Sequence, residues 1–352
     1  RSSERFASHR TPHNPKRLSN PSSFTMFLCC CCGSGTETVK KPYVTRADVD
    51  KDAVYDRTNL PLGALLTGAE KLHGSSLTGS GIRVAVIDSG VDHEHPSFDG
   101  MVKKQEWYRS GSSLTEDDHG THVAGTIHFM APDAELYDYR VFGANGRVGV
   151  TEAIRLAILQ AVKDECHVIN MSLGGPVPSP GIEKAIKVAT EAGVLCICAA
   201  GNSGDGDGLT NEDSYPANFD DCVSVAAVSK KDGLPVANFS NSNPKVDYSG
   251  IGVDVVSLKP YGGFQKMSGT SMACPHVCGF VAAIMSSSSE GDNKTPDAVR
   301  KRLTEEFSVD IGLPGKDNST GLGFVTYLNK EELSGYFAKM GISMVGPTAN
   351  VY

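Results

Sequence analysis

Residues 269–279 read Gly-Thr-Ser-Met-Ala-Cys-Pro-His-Val-Cys-Gly and lead into an apolar run that is typical of a buried helix. This places Ser271 at a loop-to-helix junction, where unpaired N–H groups and the positive end of the helix dipole favour a developing anion. Gly269 permits close approach of the backbone to a substrate, and Pro275 is expected near the first turn, where its missing N–H costs least. The simpler alternative is that Ser271 only caps an ordinary buried helix. A nucleophilic role requires a base and an orienting acid elsewhere in the chain.

Candidates for both groups lie upstream. Residues 83–88 form an apolar, β-branched run that ends in Asp88, as expected for a buried parallel strand that delivers an acid at its carboxyl end. Open α/β sheets place their functional sites at that edge. Asp118 is suited to cap a helix that begins at His119. Asp88 lies 31 residues before His119, which lies 152 residues before Ser271, so the order along the chain is acid, base, nucleophile.

Four separated motifs resemble those of the subtilisin-like serine proteases, the subtilase or S8 family. They are Val-Ile-Asp-Ser-Gly at 86–90, His-Gly-Thr-His-Val-Ala-Gly at 119–125, Ala-Ala-Gly-Asn-Ser-Gly at 199–204 and Gly-Thr-Ser-Met-Ala at 269–273. The similarity spans approximately residues 60–328, most of the chain. A single motif of this kind would carry little weight, but four in the family's order indicate membership.

The resemblance implies a serine endopeptidase that hydrolyses extended polypeptides. Ser271 would be the nucleophile, His119 the general base, and Asp88 the acid that orients the imidazole. Asn202 would donate its side-chain amide to the developing oxyanion, together with the backbone N–H of Ser271. Ser89 occupies the position at which kexin-type convertases have a second acid, so the chain resembles the general subtilisin or proteinase K type.

The resemblance also implies how the substrate is held. Main-chain pairing with an extended peptide gives sequence-tolerant affinity, and side-chain pockets set preference. The implied residues are Ser172, Leu173 and Gly174 on one side, Gly146, Arg147 and Val148 on the other, and Ala199, Ala200 and Gly201 around the first pocket. Acidic residues in the next loop would favour basic substrates, although such loops are more often simply solvated: Asp205, Asp207, Glu212 and Asp213.

Strand-like and helix-like runs alternate from Gly81 onward. The predicted strands are 83–88, 135–142, 167–173, 194–200, 222–228 and 253–258, and the predicted helices are 119–127, 151–165, 182–192, 271–286 and 295–307. Such alternation predicts an α/β fold in three layers, a doubly wound, mainly parallel sheet with helices on both faces. Subtilisin-like proteins have this architecture.

One catalytic domain is predicted over residues 79–330. An approach segment with a short helix at 64–72 is expected over 42–78, and a C-terminal tail over 331–352. Residues 1–41 are rich in Ser, Pro, Arg and Asn and are expected to be disordered and basic. Within them, Cys29–Cys32 would be lipidated if Met26 were a start site; a leader without function is the simpler interpretation.

Composition excludes several classes of protein. The 33 Lys and Arg against 41 Asp and Glu give a net charge of −8, which argues against a nucleic-acid-binding protein. No apolar run approaches the length of a membrane span. We therefore expect no nucleic-acid partner and no transmembrane segment. The resemblance implies polypeptide substrates, and a monomer is expected. The resemblance implies a secretory or extracellular setting, but no signal peptide is visible, and the compartment stays open.

No cofactor is expected for catalysis, but the resemblance raises the question of structural calcium. Many subtilases carry a calcium-binding loop after the histidine helix, whereas here Ile127 is followed almost directly by Ala-Pro at 131–132. That site is expected to be absent. A second, weak site is expected from the Asp254 carboxylate with the backbone carbonyls of Asp220 and Cys222.

Two other functions stay open alongside the peptidase. One is a catalytically inactive binding protein with the subtilase fold. The other is a serine esterase, against which the absence of the Gly-x-Ser-x-Gly elbow argues. Metal catalysis is not expected, because His119 and His122 lack the glutamate and spacing of a zinc-protease helix. Outside the N-terminal run, the cysteines are expected to be buried thiols and not disulfides: Cys166, Cys196, Cys198, Cys222, Cys274 and Cys278.

Overall fold

A nine-stranded sheet runs through the described part of the chain, which comprises residues 60–114, 117–286 and 294–339 of the computed structural model. The strands are β1 (Arg83–Asp88), β2 (Val102–Trp107), β3 (Arg109–Ser110), β4 (Glu135–Arg140), β5 (Asn145–Gly146), β6 (Val168–Met171), β7 (Leu195–Ala199), β8 (Cys222–Val228), β9 (Tyr248–Ile251), β10 (Val255–Leu258), β11 (Phe264–Met267), β12 (Ser308–Val309) and β13 (Phe324–Val325). The helices are α1 (Leu62–Leu66), α2 (Ala69–Gly74), α3 (His119–Met130), α4 (Val150–Lys163), α5 (Pro180–Glu191), α6 (Thr270–Met285), α7 (Pro296–Glu306) and α8 (Lys330–Lys339).

The strand order across the sheet is β12-β13-β9-β8-β7-β6-β1-β4-β2. Every neighbouring pair is parallel except β12 and β13. Strand β1 lies between β4 and β6, where the winding of the sheet changes direction. Ligands of open α/β sheets bind outside the carboxyl ends of strands at such a point, and Asp88 is the last residue of β1.

The sheet is buried on both faces. Along β1, Val84 and Val86 belong to one apolar cluster, which includes residues of α3, α6, α7 and α8. Ala85 and Ile87 belong to a second cluster, formed with α4 and α5. Burial of alternate residues on opposite faces explains the continuous apolar run. The arrangement confirms the predicted α/β fold of three layers with a mainly parallel sheet.

Several strands differ from the sequence prediction. The run predicted at 253–258 does not join the main sheet; its C-terminal part forms β10, which pairs only with β11 in an antiparallel hairpin. The edge strand β2 was not predicted, because its Val-Lys-Lys-Gln-Glu-Trp sequence is polar and partly exposed. Strand β9 was also missed, because Tyr-Ser-Gly-Ile is short and lacks an apolar pattern.

The two ends of the described chain pack against the core. The helix predicted at 64–72 is two helices, interrupted at Gly68, whose φ of 88° suits glycine and whose Cβ would lie 2.8 Å from Tyr327 Cβ. The tail predicted from 331 begins instead as part of α8, because Leu333 and Phe337 are buried in the larger cluster. The expectations for residues 1–41, including Cys29–Cys32, lie outside the described residues. Among the described helices, none has the length and apolar character needed to span a bilayer.

Candidate active site

Asp88 and His119 are joined by a hydrogen bond across the end of the sheet. Asp88 Oδ1 lies 2.8 Å from His119 Nδ1, and both side chains are buried. Because a carboxylate only accepts, Nδ1 carries the proton, and Nε2 of the neutral ring is left as the basic nitrogen. His119 is the first residue of α3, as predicted, although the preceding Asp118 makes no side-chain capping bond. Sequence reasoning therefore gave the correct helix start but the wrong capping interaction.

Ser89 adds a second connection between β1 and α3. Its backbone N–H donates to Asp88 Oδ1 at 2.7 Å, and its hydroxyl accepts from the Gly120 N–H at 3.0 Å. The same hydroxyl donates to the Asp117 carbonyl at 3.0 Å. At this position the sequence indicated only the type of protease, and this structural role was missed. Ser89 fixes the Asp88 carboxylate relative to the start of the histidine helix.

The environment of His119 raises the pKa of its imidazole. Burial acts in the opposite direction and is the largest single influence, since it disfavours the charged ring. The charge and hydrogen bond of Asp88, with smaller contributions from Asp117 and Asp118, together outweigh burial. The site therefore stabilises the imidazolium that forms when the ring accepts a proton.

Ser271 is the second residue of α6 and is buried. Its hydroxyl donates to the Ser172 carbonyl at 3.2 Å. Pro275 was expected near the first turn but lies inside the helix, where a residue with an N–H would donate to the carbonyl four residues before it. That carbonyl belongs to Ser271, and it accepts instead from Ser172 Oγ at 2.9 Å. Because Pro275 has no N–H, the Ser271 carbonyl is available to accept from Ser172, and this hydrogen bond links the nucleophile segment to the end of β6.

A buried polar chain continues behind this contact. Asn170 Nδ2 donates to Ser172 Oγ at 3.0 Å, and the thiol of Cys274 donates to Asn170 Oδ1 at 3.2 Å. Burial raises the pKa of the Cys274 thiol above its ordinary value. Cys274 is thus a protonated structural donor and not a reactive thiolate. As predicted, all six cysteines in the described residues are free and buried.

Asn202 follows β7 and contacts the residue before Ser271. Its Oδ1 accepts from the backbone N–H of Thr270 at 2.8 Å and from the Thr270 hydroxyl at 2.9 Å. The same hydroxyl accepts from the Gly201 N–H at 3.1 Å. Gly201 has a φ of 115°, and a Cβ there would lie 2.2 Å from Asn241 Nδ2. Since Oδ1 is engaged, the orientation of the Asn202 amide is fixed; Thr270 is a supporting residue that sequence reasoning missed.

The predicted substrate-binding residues fall into two environments. Gly146, the last residue of β5, and the following Arg147 are exposed, and Val148 is half-buried. Ser172 and Leu173 are buried, and the chain reaches a partly exposed position only at Gly175, which exchanges two backbone hydrogen bonds with Tyr215. Gly174 has no room for a side chain, since a Cβ would lie 2.5 Å from Ser214 Oγ.

The residues expected around the first pocket are interior. Ala199 packs in the larger apolar cluster, and Ala200 packs with Ala226 and Val246. Their side chains do not provide an open pocket wall, which leaves their main chain and Gly201 for that role. In the acidic loop that follows, two carboxylates already accept backbone hydrogen bonds. Asp205 Oδ1 accepts from the Asp207 N–H of the same loop at 2.8 Å, and Glu212 Oε2 accepts from the N–H of Ser242, outside the loop, at 2.9 Å.

The expected calcium ligands do not meet. Cys222 begins β8 and Asp220 precedes it, at the amino end of the sheet, whereas Asp254 follows β9 at the carboxyl end. At about 3.3 Å per residue, the seven residues of β8 separate the two ends by roughly 20 Å. Lysine side chains also interact with two of the expected ligands. Lys230 Nζ donates to the Asp254 carbonyl at 2.6 Å, and Lys245 forms an ion pair with Asp220. The predicted three-residue site is therefore not assembled, and no cluster of three or more His, Cys, Asp or Glu suited to a metal occurs among the described residues.

A buried carboxyl beside the site was also missed. Asp138 on β4 lies opposite Val86 of β1, two residues before Asp88. It is fully buried, and its Oδ2 accepts from Gln105 Nε2 at 3.1 Å and from Trp107 Nε1 at 2.9 Å. Burial, opposed by these hydrogen bonds and assisted by the negative charge of Asp88, raises the pKa of Asp138 to about 7. No sequence signal distinguishes it, because an acid in a half-polar strand usually faces water.

Comparisons with known proteins agree with this geometry. The model of the subtilase family matches residues 79–323. The chain is 37% identical over 266 residues to the major intracellular serine protease of Bacillus subtilis (strain 168), which covers 70% of this chain and 79% of that protein. It is 36% identical over 265 residues to subtilisin E of the same organism, covering 71% and 67%.

Solved structures give the same result. Sphericase matches with a TM-score of 0.62 and 29% identity, over 71% of this chain and 93% of that one. The S41 psychrophilic protease matches with a TM-score of 0.61 and 31% identity, over the same shares. The peptidase names favour proteolysis over the esterase alternative. The chain therefore belongs to the subtilase family and is a serine-type endopeptidase.

Proposed function

We propose that Ser271, His119 and Asp88 form the catalytic triad of this endopeptidase and that Asn202 completes its oxyanion hole. The observation that carries the proposal is the buried 2.8 Å contact between Asp88 Oδ1 and His119 Nδ1. It assigns the proton to Nδ1, and His119 Nε2 is buried with no hydrogen-bond partner among the described residues. A buried basic nitrogen without a partner is suited to accept a proton from a nucleophile.

The first step is attack on the scissile carbonyl. The Ser271 hydroxyl gives up its bond to the Ser172 carbonyl, transfers its proton to His119 Nε2, and forms a bond from Oγ to the carbonyl carbon. Imidazolium formation is favoured by Asp88, whose charge raises the pKa of His119. His119 then returns the proton to the leaving amine, and water repeats the sequence on the acyl-enzyme.

The negative oxygen of the tetrahedral intermediate needs donors that are already oriented. The Asn202 amide is held by two bonds to Thr270 through its oxygen, which leaves Nδ2 as the donating group. The backbone N–H of Ser271 lies in the first turn of α6, at the positive end of the helix dipole, where it is suited to stabilise a developing negative charge. Fixed donors of this kind lower the barrier because they need no reorganisation during the reaction.

Extended polypeptides are the proposed substrates. The segment Gly146–Val148 would pair with one edge of the peptide, and the segment ending at Gly174 with the other. Backbone pairing of this type tolerates many sequences. The acidic loop is not proposed to select basic residues, since Asp205 and Glu212 already accept hydrogen bonds from within the protein. We also propose that the protease acts as a monomer and requires no cofactor for catalysis.

The test is chemical labelling together with matched substitutions. A fluorophosphonate should modify Ser271 in the wild-type protein, as mapped by mass spectrometry, and Ser271→Ala should lose both labelling and peptide hydrolysis. His119→Ala should be about as damaging, because base and nucleophile act as a unit. Ser286→Ala, at the other end of α6, is the control and should keep activity. Wild-type hydrolysis by purified Ser271→Ala would disprove the assignment.

A further inference from the structure

Arg109 holds both ends of the exposed loop that carries Gly146–Val148. Its Nε and Nη2 donate to the Gly143 carbonyl at 3.1 and 2.9 Å, and its Nη1 donates to the Val148 carbonyl. Arg109 lies on β3, whose antiparallel pairing with β5 sets it opposite Gly146. One guanidinium therefore bridges two carbonyls that are five residues apart.

The loop is fitted closely to this side chain. A Cβ on Gly146 would lie 2.7 Å from Arg109 Cγ and 2.9 Å from Arg109 Nη1. A Cβ on Gly143 would lie 2.5 Å from the Ser110 carbonyl, and the φ of Gly143 is 143°. Both glycines are needed for the chain to close over β3 at this distance.

Among the described residues, the loop is otherwise held by the packing of Val148 against the smaller apolar cluster and by a short strand pairing. The pairing of β3 with β5 has only two residue pairs, and an isolated two-stranded ribbon is marginally stable in water. Ala144, Asn145, Gly146 and Arg147 are all exposed. The planar fork of arginine can bond two separate carbonyls at once, whereas the ammonium group of lysine acts as a point charge. The conformation of the loop therefore depends on the guanidinium.

We propose that Arg109 is a positioning residue for extended substrates, an inference that rests on the proposed role of Gly146–Val148 as a substrate-pairing strand. By ordering this strand before the peptide arrives, Arg109 removes an entropic cost that binding would otherwise include. The benefit applies only to a peptide long enough to reach the strand. The chemistry at Ser271 is not directly affected, because Arg109 contacts neither the triad nor the reacting atoms.

The experiment compares two chromogenic amides with the same residue at the scissile bond. One has a single-residue acyl part, and the other has four residues there. Arg109→Met, Arg109→Lys and the control Arg155→Met are assayed, with active-site concentration set by fluorophosphonate titration. Arg155 is the matched control because its guanidinium forms its hydrogen bonds to Glu152, a neighbour on the same helix α4. We expect Arg109→Met to lower kcat/KM for the longer amide by about tenfold or more, through KM, and to change the shorter amide less than about twofold.

A second measurement follows the loop itself. In a Ser271→Ala background, Arg109→Lys should accelerate hydrogen exchange of the amides at 145–148, with exchange of the central strands unchanged. This variant keeps the charge and the stem, so it carries the test if Arg109→Met does not fold. Equal effects on both amides, or no effect on the longer one, would overturn the proposal. Failure of the triad assignment would look different, since the wild-type protein would then lack a fluorophosphonate-reactive Ser271.

Discussion

Replacing Asp138 by asparagine should change how the stability of the protein depends on pH. In the folded chain the carboxyl is buried on β4, with Oδ2 bonded to Gln105 and Trp107 and with Oδ1 buried without a partner among the described residues. Its pKa is about 7, against an ordinary value of 3.8. The unfolded chain therefore releases this proton at a lower pH than the folded chain.

The sign and size of the effect follow from linkage. Between pH 3.8 and about 7 the folded protein binds more protons than the unfolded chain, so the free energy of unfolding falls as pH rises. The stabilising contribution is complete below the unfolded pKa and is lost as pH rises through the folded one. At about 1.4 kcal/mol per pH unit, the loss is roughly 3 kcal/mol between pH 5 and 8. The side-chain amide of the Asp138→Asn variant has no such titration, although it adds a pH-independent cost.

Urea unfolding of both chains from pH 5 to 9 measures this difference, in a Ser271→Ala background that prevents self-digestion. The Asp138→Asn chain should gain stability relative to its parent by up to roughly 3 kcal/mol across that range. Glu183→Gln, which removes an exposed carboxyl from α5, is the control and should show no such trend. A stability difference for Asp138→Asn that stays constant from pH 5 to 8 would refute the reasoning.

Three further predictions concern the site and the core. Asp118→Asn should move the acid limb of the kcat/KM profile to lower pH by about a few tenths of a unit, because it removes one of the charges that raise the pKa of His119; a shift to higher pH would contradict this. Thr270→Val should lower kcat by about tenfold, less than the roughly 10²–10³ expected for Asn202→Ala, with activity restored in Thr270→Ser; an unchanged kcat would exclude the supporting role of the hydroxyl. Gly63→Ala should destabilise the fold by about 1–3 kcal/mol in thermal unfolding, because its Cβ would lie 2.6 Å from Nε2 of the buried His276, whereas Gly74→Ala, with no atom within 4 Å, should not.

The three residues predicted to bind calcium are not close together in the structure, although they match a family motif. Asp254, Asp220 and Cys222 were grouped by resemblance, but strand direction places them at opposite ends of β8 and β9. Residues at the start of one parallel strand and after the end of its neighbour lie at opposite edges of the sheet, so they cannot bind the same ion. The position of Pro275 was also predicted wrongly. It lies inside α6 and not near the first turn, because the helix begins at Thr270, five residues before it.

The sequence alone determined the α/β architecture and the identity of the acid, base and nucleophile candidates. Buried strands such as β1 read as continuous apolar runs, and a strand-end Asp88, a helix-start His119 and a helix-start Ser271 carry local signals for their positions. Only the tertiary structure decided which groups support them. The bonds from Thr270 to Asn202, from Ser172 to the Ser271 carbonyl and from Arg109 to the loop at 143–148 join segments that are far apart in the chain. Such hydrogen bonds cannot be predicted from a periodic sequence pattern, because they depend on how the layers pack and not on neighbours in sequence.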